Sequence, residues 1–275
     1  MHYLSDPGYT HRYTVDLTAT LADAYVRTES FGSTSWKTIL VGGLRSGGRG
    51  LYALDVTDPT TISETSAAAA NTVLWEFNSG DDIDLGFTFS RPSIVPLEAP
   101  GNTIRWAAIF GNGYNDLGSG EAVLYIVLLE GGLDGTWSYG TDYIKISTGV
   151  GSAADRNGLA SPAIVDTDGD GLADRAYAGD LEGNMWAFDL SGSNANNWDV
   201  AFKSGSTPVP LYNGTAGQPI TASPVIVRNN SLATTSIDCT PVVVMSATVR
   251  YWPVPKITSV FGKFELVVAS ELLRT

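Results

Sequence analysis

Residues 160–190 read ASPAIVDTDGDGLADRAYAGDLEGNMWAFDL. Within them, Asp166-Thr167-Asp168-Gly169-Asp170-Gly171-Leu172-Ala173-Asp174 puts carboxylates at loop positions 1, 3, 5 and 9 and a glycine at position 6. Four carboxylates this close repel one another unless a cation sits among them. Calcium takes side-chain oxygens at positions 1, 3 and 5, the backbone carbonyl at position 7 and a ligand or water at position 9. The spacing predicts calcium ligation by Asp166, Asp168, Asp170, Asp174 and the Leu172 carbonyl. An EF-hand requires Glu at position 12, but Tyr177 stands there, and it requires flanking helices. Here the flanks, Ser161 to Val165 and Arg175 to Gly179, are short, apolar and bounded by Pro or Gly, which predicts strands. The expected unit is a calcium clasp in a β-loop-β setting. Its bland counterpart is an acidic solvated turn without an ion.

The same design recurs on both sides. Trp36 to Gly43 and Gly50 to Val56 read as a hairpin, followed by a strand at 72–77. Upstream, 11–17 alternates as a strand would, and Leu21 to Val26 reads as a helical turn or a strand. Ser90-Arg91-Pro92-Ser93-Ile94-Val95 starts a second unit, continued by Ile104 to Gly111 and Glu121 to Val127. The third unit runs from Ser161 to Leu190. A fourth begins at Ser223-Pro224-Val225 and resumes at Pro241 to Met245. Repeats of this kind cannot bury their apolar faces alone and must stack. Four-stranded sheets packed about an axis satisfy that need. The expected fold is therefore all-β. It is a modified or partial β-propeller of four-stranded antiparallel blades, four to six in number, with the calcium loop as a β-loop-β insertion. One propeller unit is expected over residues 1–275, with its pattern clearest over 11–245.

Composition narrows the function. The net charge is −13 at pH 7, so a phosphate backbone would be repelled and nucleic acid is set aside. The single cysteine, Cys239, excludes an internal disulfide and a cysteine zinc site. No apolar run is long enough to span a membrane as a helix. Met1 to Pro7 lacks the basic and apolar regions of a leader, so an export signal is expected upstream of an excised fragment. The histidines, His2 and His11, form no triad or metal spacing, and no Gly-x-Ser-x-Gly elbow is present. No catalytic residue is assigned. The glycine-rich stretch Gly42 to Gly50 lacks a Gly-Lys-Ser/Thr ending and is not assigned to phosphate. Asp81-Asp82-Ile83-Asp84 lacks alternate spacing and reads as a solvated loop. The seven tryptophans are expected to pack between blades.

Four stretches carry a family resemblance: Trp36 to Pro59 (WKTILVGGLRSGGRGLYALDVTDP), Leu85 to Val95 (LGFTFSRPSIV), Gly111-Asn112-Gly113-Tyr114-Asn115, and Ala160 to Leu190. They resemble the C-terminal β-propeller of the PilC/PilY proteins, the type IV pilus biogenesis factors and tip adhesins. The resemblance implies a modified propeller whose matching acidic loop binds calcium through Asp166, Asp168, Asp170, Asp174 and the Leu172 carbonyl. It implies a non-enzymatic domain that promotes pilus extension, surface attachment and twitching. Minor pilins and host or abiotic surfaces are the implied partners. The implied location is exported: the bacterial cell surface, outer membrane or pilus tip. The pattern departs after Met245, where the family's Phe-Gly-Thr-Gly is replaced by Ser246-Ala247-Thr248-Val249. No Arg-Gly-Asp is present, since Arg49-Gly50 is followed by Leu51. Two other readings remain open from the residues. A pyrroloquinoline-quinone dehydrogenase shares the Trp-Ala-x-Asp strand ending but holds calcium through scattered residues. A calcium-dependent adhesion or lectin propeller would share the loop alone.

Overall fold

The computed structural model describes residues 7–99, 103–115, 117–214, 217–228 and 241–244. The first blade is β1 (Thr20–Val26), β2 (Ser35–Gly43), β3 (Gly50–Asp55) and β4 (Val73–Asn78), in that spatial order. A short helix, α1 (Ser66–Thr72), precedes β4, with the Thr65 hydroxyl capping the Ala68 amide. The second blade is β5 (Ser93–Ala99), β6 (Thr103–Gly111), β7 (Glu121–Leu128) and β8 (Tyr143–Gly151). The third is β9 (Ala163–Val165), β10 (Arg175–Gly179), β11 (Met185–Asp189) and β12 (Asp199–Val200). A small hairpin, β13 (Lys203–Ser204) with β14 (Thr207–Pro208), follows. A final two-stranded ladder pairs β15 (Val225–Arg228) with β16 (Pro241–Val244). All ladders are antiparallel. The described residues thus hold three full blades and part of a fourth, against the four to six expected. The departure after Met245 lies outside the described residues, as do His2 and Cys239.

Blade-on-blade burial explains the apolar runs. Strand residues alternate between two faces, and both faces of the middle blade are covered. Val123, Tyr125 and Val127 pack toward Ile39, Val41, Leu51 and Phe77 of the first blade. Leu124, Ile126 and Leu128, on the opposite face, pack toward Ala176, Ala178, Trp186 and Phe188 of the third. So β7 reads as a continuous apolar run and not as an alternating one. Trp75, Trp186 and Trp198 are buried as expected, but Trp36 is 63% exposed.

The inner strands lie side by side, β1 against β5 and β9 against β15. The recurring Ser-Pro phrase joins them. Thr20 Oγ1 donates to the Pro92 carbonyl at 2.9 Å, the Arg91 amide donates to Ser161 Oγ at 2.8 Å, and Ser223 Oγ donates to the Pro162 carbonyl at 3.4 Å. The Gly-Asp-Leu-x-Gly-Asn-x-Trp hairpin is organised by Asp180, which is fully buried. Its carboxylate accepts from Asn157 Nδ2, Asn184 N and Nδ2, and Trp186 Nε1, at 2.8 to 3.0 Å. Such saturation is what makes a buried charge tolerable.

Two expectations need correction. Residues 11–17 form no strand. The Leu17 amide bonds the Gly43 carbonyl at 3.2 Å, but no ladder partner lies beside the rest of the segment among the described residues. Asp82 is not solvated. It is 7% exposed and accepts from Tyr125 OH and Tyr143 OH, both at 2.9 Å, and it pairs with Lys145 at 2.9 Å. Asp84 shares the same ammonium at 2.8 Å. The spacing concealed this because Tyr125, Tyr143 and Lys145 arrive from β7 and β8.

Candidate metal centre

The loop 166–174 joins β9 to β10, as its Pro- and Gly-bounded flanks predict. Gly169 and Gly171 take φ of +90° and +89°, a region where a Cβ is strained. These turns curl the backbone round its own carboxylates. Asp166 accepts from the Gly169 amide at 2.6 Å and the Gly171 amide at 2.8 Å. Asp168 accepts from Asp170 N at 3.1 Å, and Asp170 from Leu172 N at 2.8 Å. Asp174 Oδ2 takes both Thr167 N and Thr167 Oγ1, at 2.7 and 2.6 Å.

Asp166, Asp168 and Asp174 bring carboxylate oxygens within 4.8 Å of one another. Asp170 is not among the three that converge, and its exposed carboxylate stays on the Leu172 amide. Leu172 is held in the loop by that same bond. The electrostatics are uneven. The Gly169 amide, helped by that of Gly171, holds the Asp166 carboxyl below its usual value. The Asp170 amide pulls Asp168 down, but desolvation and the charges of Asp174, Asp170 and Asp166 outweigh it and raise that carboxyl. The neighbouring charges that raise the proton affinity of Asp168 are charges that a cation would relieve. An all-oxygen donor set of this kind fits a hard divalent ion such as calcium.

The loop is tied to the blades at its C-terminal end. Asp174 is 9% exposed, its amide donates to the Val165 carbonyl at 3.0 Å, and its carbonyl accepts from the Leu190 amide at 2.7 Å. The Ala173 amide reaches the Pro96 carbonyl of β5 at 3.0 Å, and its methyl sits in the cluster between the second and third blades. The order of the loop and the packing of that seam are therefore mechanically connected.

Comparison with known proteins agrees with this architecture. The family model of the PilY1 beta-propeller domain matches residues 1–254. A type IV pilus biogenesis factor PilY1 homolog of Xylella fastidiosa is 44% identical over 219 residues, covering 76% of this chain and 13% of that protein. The type IV pilus biogenesis factor PilY1 of Pseudomonas aeruginosa strain UCBPP-PA14 is 37% identical over 248 residues, covering 83% of this chain and 19% of that protein. The crystal structure of the P. aeruginosa PilY1 C-terminal domain superposes with a TM-score of 0.63 at 34% identity, covering 83% of this chain and 43% of that one. The chain thus spans less than a fifth of the length of these two curated relatives.

Proposed function

The chain belongs to the PilY1 β-propeller family, and from that premise we propose that it is a calcium-responsive domain of a type IV pilus biogenesis factor. In this reading it promotes pilus extension and surface attachment through contacts with minor pilins and with host or abiotic surfaces. It works at the cell surface, outer membrane or pilus tip, and it performs no catalysis. The observation that supports the calcium part is the convergence of Asp166, Asp168 and Asp174 on a loop stapled to an inter-blade seam.

Bound calcium would supply the positive charge that three facing carboxylates require. The chain's own residues then do the coupling. Thr167 fixes the Asp174 side chain, Leu190 fixes its carbonyl, and Ala173 carries the loop's position to Pro96 and the seam. A ligand that binds the ordered loop alone shifts the population toward it.

Two measurements test the reading. Millimolar calcium should raise the melting temperature, since binding to the folded state alone contributes about 2.7 kcal/mol at a hundredfold excess over Kd. An unchanged melting curve would remove the calcium arm. In cells, Asp174→Ala should change twitching while protein abundance stays near normal. Unchanged twitching at unchanged abundance would remove the link to pilus function.

A further inference from the structure

A cleft of about 240 Å³ opens on connections different from the one that carries the acidic loop. Four successive units line it. Arg45 comes from the β2–β3 turn, Phe89 and Ser90 from the approach to β5, Tyr114 from the segment after β6, Ser161 from the approach to β9, and Thr221 from the approach to β15. We propose that this cleft binds the carboxylate of an acidic sugar, with Arg45 as the anion contact and Tyr114 as the platform for the ring.

The first argument is Arg45 itself. Its φ is +49°, and among the described residues it is the sole non-glycine with positive φ. Such a conformation persists only where the surroundings enforce it, and it concentrates at ligand clamps. Here Thr88, 1% exposed, enforces it. Its Oγ1 accepts from the Leu44 amide at 3.2 Å and the Arg45 amide at 3.0 Å, and donates to the Gly50 carbonyl at 3.0 Å. The result aims a guanidinium at the cleft. It lies 5.0 Å over the Phe89 ring and forms a loose ion pair with Asp16 at 3.8 Å. Stacking on an aromatic face leaves the planar N–H edge directed outward, the geometry that pairs with a carboxylate.

The second argument is the aromatic pair. Phe89 meets Tyr114 edge-on at 4.7 Å, and Tyr114 remains 42% exposed. Two backbone bonds to Phe87, at 2.9 and 3.2 Å, hold Tyr114 in place. An exposed, rigidly held ring beside a cation suits the apolar face of a sugar. Ser161 Oγ accepts from the Arg91 amide, which leaves its hydrogen to donate to a ring hydroxyl. The volume is below the roughly 300–1,000 Å³ of clefts that hold drug-sized ligands, so it fits a single ring. A phosphate dianion fits less well, because Asp16 already shares the Arg45 guanidinium and a second negative charge would face it.

The test uses the full chain in EDTA, so that it is independent of the metal loop. Glucuronate and N-acetylneuraminate are titrated by calorimetry and saturation-transfer NMR, with glucose and acetate as controls. Saturable binding of at least one acid is expected, with a Kd on the order of 1 mM, and both controls at least tenfold weaker. Arg45→Gly should abolish that binding while leaving the melting temperature equal or higher, because glycine takes φ +49° without strain. Tyr114→Ala should weaken it at least about fivefold. Three results overturn the proposal: no saturation by either acid, equal binding of glucose or acetate, or unchanged binding in Arg45→Gly. A lowered melting temperature in Arg45→Gly also overturns it, since that assigns Arg45 a structural role.

Discussion

Asp170 and Asp174 stand four residues apart in one loop, and the backbone treats them differently. Asp174 is nine-tenths buried with one oxygen fixed by Thr167, whereas Asp170 is exposed and bonds its own turn. Calcium affinity, read by calorimetry, should therefore fall at least about tenfold in Asp174→Ala, which removes a pre-oriented ligand. Asp170→Ala should cost only a few-fold, because that carboxylate must leave the Leu172 amide before it can help. Equal losses in the two variants would show that both are ligands of equal standing. The spacing singled out all four aspartates but not how differently the backbone holds each of them. Asp side chains compete for nearby amides in ways that depend on local φ and ψ. Arg45 illustrates the same gap. Its stretch is glycine-rich in sequence, yet the left-handed residue proves to be the arginine, and the cause is Thr88 from a distant segment.

Gly43, Gly111 and Gly179 each close the second strand of a blade, and each lies under the chain approaching the next blade. A methyl on Gly111 would overlap the Leu159 and Ala160 carbonyl oxygens, and one on Gly179 would overlap Ile220. Bonds that cross between blades sit here too: Ser90 Oγ to the Ala160 carbonyl at 3.3 Å, Gly113 N to the Leu159 carbonyl at 3.0 Å and Ile220 N to the Asp180 carbonyl at 2.9 Å. Gly111→Ala should thus destabilise by about 1–3 kcal/mol, as overpacking does. That should appear as a melting point lower by several degrees. A melting point within a degree of the parent would mean that the seam has slack. These glycines explain why the repeated phrase was readable as Ser-Pro, apolar run, Gly-bounded strand: each part meets the next blade. The outer elements were less legible. β8 begins at Tyr143 among turn residues, and β12 is two residues long, so neither announces itself before its neighbours are placed. Residues 11–17 alternate correctly for a strand, yet alternation without a pairing partner makes no ladder.

Across the whole molecule, an acidic chain of net charge −13 concentrates one of its lysines on the pair formed by buried Asp82 and half-buried Asp84. Lys145, 28% exposed in its side chain, bridges Asp82 and Asp84, and so ties the β4–β5 connection to the outer strand of the second blade. Burial and the Asp82 charge also keep the Tyr125 and Tyr143 phenols protonated, as donors to that carboxylate. Asp84 is pushed up by burial, but the bonds from Lys145 and Ser119 prevail and hold its carboxyl below 3.8. Its stabilisation is therefore present above the ordinary carboxylate value and lost only as pH falls through that lowered value. Lys145 is raised above 10.5 by the two carboxylates, against the effect of burial. Its contribution is present below 10.5 and lost as pH climbs through the raised value. The network should hold across the whole neutral range. Lys145→Met leaves two facing carboxylates without their cation, and removing one partner of a buried pair costs about 3–5 kcal/mol, less here because the lysine is partly exposed. In that variant, protonating one carboxylate relieves the repulsion, so acid should help this site in the variant more than in the parent, where the lysine already neutralises the pair. Urea unfolding at pH 7 and near pH 4.5 should show the stability gap between parent and Lys145→Met narrowing at the lower pH. A gap independent of pH would mean that the lysine contributes packing through its methylenes and not charge.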